Sequence, residues 1–362
     1  PFYTLIMAKE IYPCLLLFND LHVGKENIPE FVANWNEALC ICERLGITEI
    51  ALGGDLFLSR AAQTLDILLA VHDVLLATAK KGIRVTIANG NHDKVAPESE
   101  RGYCHIFDQH RNVVVANDYV SLPIGDGQHA LLHLIPYFPE DGSFTEKLQT
   151  VKTQALDSTK LNFLYLHEGI NGALSQPSEK ELPANLFEGF DKVFVAHYHN
   201  RCVIPKTNVE YIGSSRQHNF GEDEMKGYTV LYNDGSTEFI QNKINLRYKV
   251  IDVDADQVDI HLTDLLDEMK ANGHYRTKVR VHTTSVRASS IPKEKLLHAG
   301  ASKVEIITEE TEAADVSASS LFEKFDTHKI RETYEEFCRE KEIAEVELGL
   351  SYLSKIDSVC GN

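Results

Sequence analysis

The chain has 362 residues, with 43% hydrophobic and 25% charged residues, enough for more than one hydrophobic core in an ordinary globular composition. A formal net charge of -18 excludes a protein that coats nucleic acid by charge alone, although bound cations or a partner can supply local positive charge. No apolar run is long enough to cross a bilayer, since Ile67 to Ala77 is broken by His72 and Asp73, and Pro1 to Ile11 lacks the pattern of a signal peptide. Seven cysteines without a Cys-x-x-Cys pair predict reduced thiols and a cytoplasmic protein.

In chain order, Cys14 to Phe18 predicts a buried strand, and Ile28 to Leu45 a helix whose Phe31, Trp35, Ala38, Leu39 and Cys42 share a side, stopped by Gly46. Ile47 to Leu52 predicts a second strand, Thr64 to Ala79 a second helix, and Ile83 to Ala88 a third strand. The order β-α-β-α-β implies a layered α/β domain. Further strands are predicted over Asn112 to Ala116, Ala130 to Ile135, Leu161 to Leu166, Lys192 to Ala196, Glu210 to Ile212, Gly227 to Tyr232 and Thr237 to Gln241, the last two joined by an Asn233-Asp234-Gly235 turn. The pattern then changes. Tyr248 to Val253, Ile260 to Ala271, Thr277 to His282, Pro292 to Ala299 and Lys303 to Thr308 alternate strand and helix in a small α/β unit. An acidic, small-residue linker over Glu309 to Ala318 precedes a helical tail with an apolar stripe from Leu321 to Val346. The expected domains are 12–245, 246–310 and a tail over 319–358.

Polar clusters follow the predicted strands in turn: Asp20-Leu21-His22, Gly53-Gly54-Asp55, Gly90-Asn91-His92-Asp93, His167, and His197-Tyr198-His199. Open α/β sheets place ligand sites at such strand ends. On an extended chain Asp20 and His22 face one side and can bind one ion together. The donors are carboxylate, carboxamide and imidazole with no thiolate, which suits manganese, iron or zinc in a reactive site better than structural zinc. Any one cluster is weak; Gly-Asn-His-Asp after a strand is more specific, and five in order outweigh chance.

This order resembles the calcineurin-like metallophosphoesterase superfamily over about Cys14 to Gln241. The resemblance implies a four-layer α-β-β-α sandwich with a binuclear metal site, most simply two Mn²⁺, at one edge. It implies that Asp20, His22, Asp55 and His199 hold one ion, that Asp55 bridges, and that Asn91, His167 and His197 complete the second. His92 would stabilise or protonate the leaving oxygen, with Asp93 orienting it, during in-line attack by a metal-bridging hydroxide. Ala196 stands where the family usually has Gly.

Tyr211-Ile212-Gly213-Ser214-Ser215, then Phe220-Gly221-Glu222 and Lys226-Gly227-Tyr228, are similar to the SbcD, phage and meiotic-recombination-eleven type DNA repair nucleases. That resemblance implies a DNA exo/endonuclease, a capping domain after the core, and a helical tail that docks on an SbcC-type coiled-coil ATPase. It also implies dimerisation through early helices of the core. Leu58 departs from the family, which has Asp or His there. Two alternatives stand beside it: a phosphodiesterase for cyclic nucleotides or other small phosphoesters, and a non-catalytic scaffold. His105, His110, His133 and His218 are expected to be packing or surface histidines. Arg216 and His218 are weaker candidates for phosphate contact, and Glu168 with the loop to Pro183 for substrate contact.

Overall fold

A computed structural model describes residues 10–125, 127–174, 181–258 and 260–308. The expected linker and helical tail, 309–358, lie outside the described residues, as does most of the loop before Glu181. In chain order the first unit contains β1 (Pro13–Phe18), α1 (Ile28–Leu45), β2 (Glu49–Leu52), α2 (Leu65–Lys80), β3 (Arg84–Ile87), β4 (Val113–Val115), β5 (Val120–Ile124), β6 (Ala130–Ile135), α3 (Ser143–Gln154), β7 (Leu161–His167), β8 (Lys192–Ala196), β9 (Cys202–Val203), β10 (Val209–Tyr211), β11 (Gly227–Tyr232) and β12 (Thr237–Gln241). One six-stranded sheet has the order β12-β11-β1-β2-β3-β4, and the other β5-β6-β7-β8-β10-β9.

The central strands of both sheets are buried on both faces and read as nearly continuous hydrophobic runs. In β1, Leu15 and Leu17 enter a core shared with Leu132, Phe163 and Phe194 of the second sheet, while Leu16 and Phe18 enter another with Phe31 and Trp35 of α1 and Val71 and Leu75 of α2. In β7, Phe163 and Tyr165 belong to the core shared by the sheets, and Leu164 and Leu166 pack instead with Phe144, Leu148 and Val151 of α3. The period of two thus gives each strand a partner on either side. At the end of α1 the chain reverses at Gly46, whose φ of 70° is the left-handed region that glycine adopts without penalty, and its N–H bonds to the Cys42 carbonyl.

Pairings β1–β2, β2–β3, β6–β7 and β7–β8 are parallel, so the C-terminal ends of β1, β2 and β3 lie together, as do those of β7 and β8. β5, β9 and α3 were absent from the sequence expectation. Pro123 and the polar face of α3 hide the usual periodicity there.

The second unit contains Val250–Asn272 and continues from Thr277, while Gly273–Arg276 belongs with the first. The remaining elements are β13 (Arg247–Asp254), α4 (Ile260–Asn272), β14 (Tyr275–Thr283), α5 (Lys293–Ala299) and β15 (Ala301–Thr308), with sheet order β13-β14-β15; the first residues of β13 and β14 fall in the first unit. The second unit's own core includes Leu262, Leu266, Val279, Val281 and Leu296.

Candidate metal centre

Two segments that follow parallel strands run side by side: Asp20 N–H bonds to the Gly54 carbonyl at 3.0 Å, and His22 N–H to that of Asp55 at 3.0 Å. The backbone here is not extended, contrary to the expectation for Asp-x-His. Asp20 has φ 52°, His22 φ 44°, Asp55 φ 53° and His197 φ 89°. Left-handed conformations cost non-glycine residues energy and concentrate at functional sites. They turn both Asp20 and His22 into one place, which alternation along a strand was expected to do. Gly54 has φ 105°, and a Cβ on Gly90 would collide with the Asp55 carboxylate.

Three overlapping donor groups result: Asp20, His22 and His199; His22, Asp55 and His92; and Asp55, His167 and His197. Asp55 joins the last two groups. Its Oδ1 accepts the His92 N–H at 2.8 Å, while Oδ2 lies 3.7 Å from His22 Nε2 and 3.4 Å from His167 Nε2. His167 donates from Nδ1 to the Gly53 carbonyl at 2.9 Å, which aims Nε2 at Asn91 Oδ1, 3.0 Å away. Glu222 Oε1 sits 2.8 Å from His199 Nδ1, leaving His199 Nε2 to face His22 Nε2 at 3.1 Å. An imidazole fixed at one nitrogen by an oxygen acceptor presents its other lone pair to a metal.

These contacts fit cations. His167 Nε2 lies 3.4 Å from Asp55 Oδ2 and 3.0 Å from Asn91 Oδ1, and His22 Nε2 lies 3.1 Å from His199 Nε2, a crowding of donor atoms that a cation would hold together; Asp20 Oδ1 is buried with no hydrogen-bond partner. Swapping the Asn91 carboxamide would instead turn its oxygen to Arg60 and its nitrogen to His167. Burial works against a proton on His167, yet the Asp55 carboxylate pulls its pKa up to about 10. Asp55 is held below the usual carboxylate range: burial opposes its ionisation, and the charge of His167 beside it prevails. A proton here supplies the positive charge a cation would supply.

The residues around the candidate donors explain the local order. Asn19 bonds from Nδ2 to Asp20 and to the Gly213 carbonyl, and Tyr165 donates to Asn19 Oδ1 at 2.6 Å. His197 N–H reaches Asp20 Oδ2 at 3.2 Å. The role of Glu222 was not foreseen, although Phe220-Gly221-Glu222 marked the segment; 23 residues of sequence separate it from His199.

Two expectations are corrected. Asp93 does not orient His92: its buried carboxylate accepts the N–H groups of Gly90 at 2.8 Å and Phe57 at 2.9 Å, fixing the loop instead. The carbonyl of Leu58 does hold His92, accepting from Nδ1 at 2.7 Å, and a backbone carbonyl survives any change of side chain there. Glu168 is fully buried and accepts the Phe138 N–H at 3.1 Å, so it is no substrate contact. His133 packs as expected between Ser121 and Asn162. His218, expected to be a packing or surface histidine and a weaker candidate for phosphate contact, bonds through Nε2 to the Asp20 carbonyl at 2.7 Å, its ring edge-on to His22 and tilted against His199 at 5.0 Å. The donor groups open on a cleft of about 450 Å³, also lined by Leu58, Arg216, Tyr248 and Arg276.

Facing sheets with this donor set at their strand ends resemble those of metallophosphoesterases. Within that class the resemblance is to SbcD-type proteins. Over 208 residues the chain is 24% identical to the SbcD component of nuclease SbcCD from Staphylococcus saprophyticus, covering 50% of this chain and 54% of that one. It is 32% identical over 88 residues to the protein of the same name from Staphylococcus epidermidis, covering 22% and 24%. The chain therefore spans about half the length of the first of these relatives and less of the second. No family model matches it. The crystal structure of Pseudomonas putida nuclease MPE aligns with 61% of this chain and 84% of its own, at a TM-score of 0.27 and 12% identity.

Proposed function

We propose that the chain is a two-metal phosphodiesterase that cleaves DNA, acting in repair or recombination. The observation that carries this reading is the pair of adjacent donor clusters sharing the Asp55 carboxylate. Asp20, His22, Asp55 and His199 would hold one divalent ion, and Asp55, Asn91, His167 and His197 the other, with manganese the expected metal. Two such ions supply Lewis acidity and charge stabilisation for in-line displacement at phosphorus. His92, held at Nδ1 by Leu58, keeps Nε2 available to hydrogen-bond or protonate a leaving oxygen. Asp93 acts through the loop backbone.

The four-layer α-β-β-α sandwich expected from the resemblance is supported by three successive cores, and 246–310 is read as a capping domain. The relatives' name makes them one subunit of the SbcCD nuclease, which supports a partner subunit; that this partner is a coiled-coil ATPase bound through the tail over 319–358 rests on the sequence resemblance. No helix among the described residues is long and apolar enough to cross a membrane; a cytoplasmic site of action is part of the proposal, as is a homodimer.

The test is cleavage of end-labelled linear DNA in manganese by the chain and by His92→Ala and His199→Ala. Manganese-dependent cleavage lost in both is expected, and His92→Ala should fall by roughly 10²–10⁴-fold while retaining its metal. Turnover of a small chromogenic diester with no DNA cleavage would redirect the reading to small phosphoesters. Silence on both substrates, with no metal bound, would indicate a scaffold.

A further inference from the structure

We propose that Arg216 forms a subsite for a second, non-reacting phosphate of a polynucleotide, on the cleft wall beside His22 and His199. The inference rests on the phosphodiesterase reading and specifies how its substrate extends from the metal centre. Arg216 lines the cleft yet is only 5% exposed. Nη2 donates to the Leu21 carbonyl at 2.9 Å, and Nε is buried with no acceptor. A guanidinium stays charged in proteins and carries five N–H donors, so a single brace to Leu21 leaves most of them unused. Glu30 and Glu222 favour its charge from a distance, but no carboxylate lies within ion-pair reach of Arg216 among the described residues. A buried, unpaired cation beside a cleft calls for an anion, and the planar fork of arginine suits the oxygens of a phosphate.

The adjoining wall supplies what a flanking nucleotide needs. Gln217 clamps the backbone of Tyr248, accepting its N–H at 2.9 Å and donating to its carbonyl at 3.1 Å. The Tyr248 ring meets Phe220 edge-on at 5.1 Å, and the guanidinium of exposed Arg276 stands 5.9 Å from its centre. An aromatic face with cationic groups nearby is the arrangement on which single-stranded bases stack. A small diester has no flanking phosphate to reach Arg216, so the subsite selects for polymers.

The experiment is a binding cycle in calcium with short fluorescein-labelled single-stranded DNAs, each carrying one neutral methylphosphonate at a different position and read by anisotropy. For the unaltered chain, one position should show a penalty of about tenfold, the size of a lost charge-assisted hydrogen bond. In Arg216→Gln that penalty should disappear while the penalties elsewhere remain. Should Arg216→Gln fail to fold by circular dichroism, the same cycle is read on Arg216→Lys, for which the penalty should shrink. Equal penalties with and without the guanidinium at every position would overturn the proposal and leave Arg216 a brace for Leu21. Cleavage of the unmodified DNA in manganese is measured alongside: its absence in the unaltered chain sinks the nuclease reading, while the binding cycle still decides the subsite.

Discussion

Two oxygens of one carboxylate do different work in Asp55. Oδ1 is engaged by the His92 amide, and only Oδ2 is turned between His22 and His167. Were cations bound, Asp55 would offer Oδ2 more readily than Oδ1, since an oxygen already holding an N–H is a poorer donor. Glu222 holds Nδ1 of His199, and it also receives the His218 N–H at 3.1 Å. Glu222→Ala is expected to weaken manganese binding by about 10–100-fold, measured by titration calorimetry. Unchanged affinity would mean that His199 is oriented by packing and not by this bond. The candidate donors were legible in the sequence because each follows an apolar strand. Their supporting partners were not: Asn19, Tyr165 and Glu222 reach the ligands through hydrogen bonds across the fold, and such contacts leave no local pattern. The same reason explains the misassigned role of Asp93, since adjacency to His92 in sequence says nothing about which way a carboxylate turns in a tight loop.

At the scale of elements, the strand–helix alternation does the positioning. Parallel strands place their C-terminal ends together, and the buried faces of α1 and α2 pack on the sheet that carries Asp20, Asp55 and Asn91. Trp35 of α1 is central to this. It is fully buried, meets Phe18 edge-on at 5.7 Å and donates from Nε1 to Thr78 of α2 at 2.9 Å. Trp35→Ala should cost about 3–5 kcal/mol of stability by leaving a cavity under β1, measured by denaturant unfolding. A loss below about 1 kcal/mol, the range of surface substitutions, would show that α1 does not brace the sheet. The long, periodic elements were predicted to within a residue or two: α1, β6, β8, β11 and β12 match their expected ranges. β5 and α3 were not, because β5 contains Pro123 and half-exposed positions, and α3 buries only Phe144, Leu148 and Val151 along a polar helix.

For the whole molecule, the donor clusters bring carboxylates and imidazoles together in a buried place, and this costs stability unless cations occupy it. Divalent ions that bind the folded chain and not the unfolded one should therefore raise its melting temperature. At a metal concentration 100 times the dissociation constant the gain is about 2.7 kcal/mol per site. Calorimetric melting with manganese and after chelation measures it, and Asp55→Asn should abolish most of the difference. No shift on adding manganese would remove the metal centre, whatever the fate of the nuclease reading.

The sequence by itself determined the donor types, their order along the chain and the alternation of strand and helix, because these depend on local hydrophobic periodicity and on which residues end each strand. Only the tertiary structure decided how the donors combine. Left-handed turns at Asp20, His22, Asp55 and His197, a carboxylate with one free oxygen, and a guanidinium buried along the cleft all arise where segments distant in sequence meet. Backbone conformation and desolvation at such meetings are set by packing from every side, and no single stretch of sequence records them.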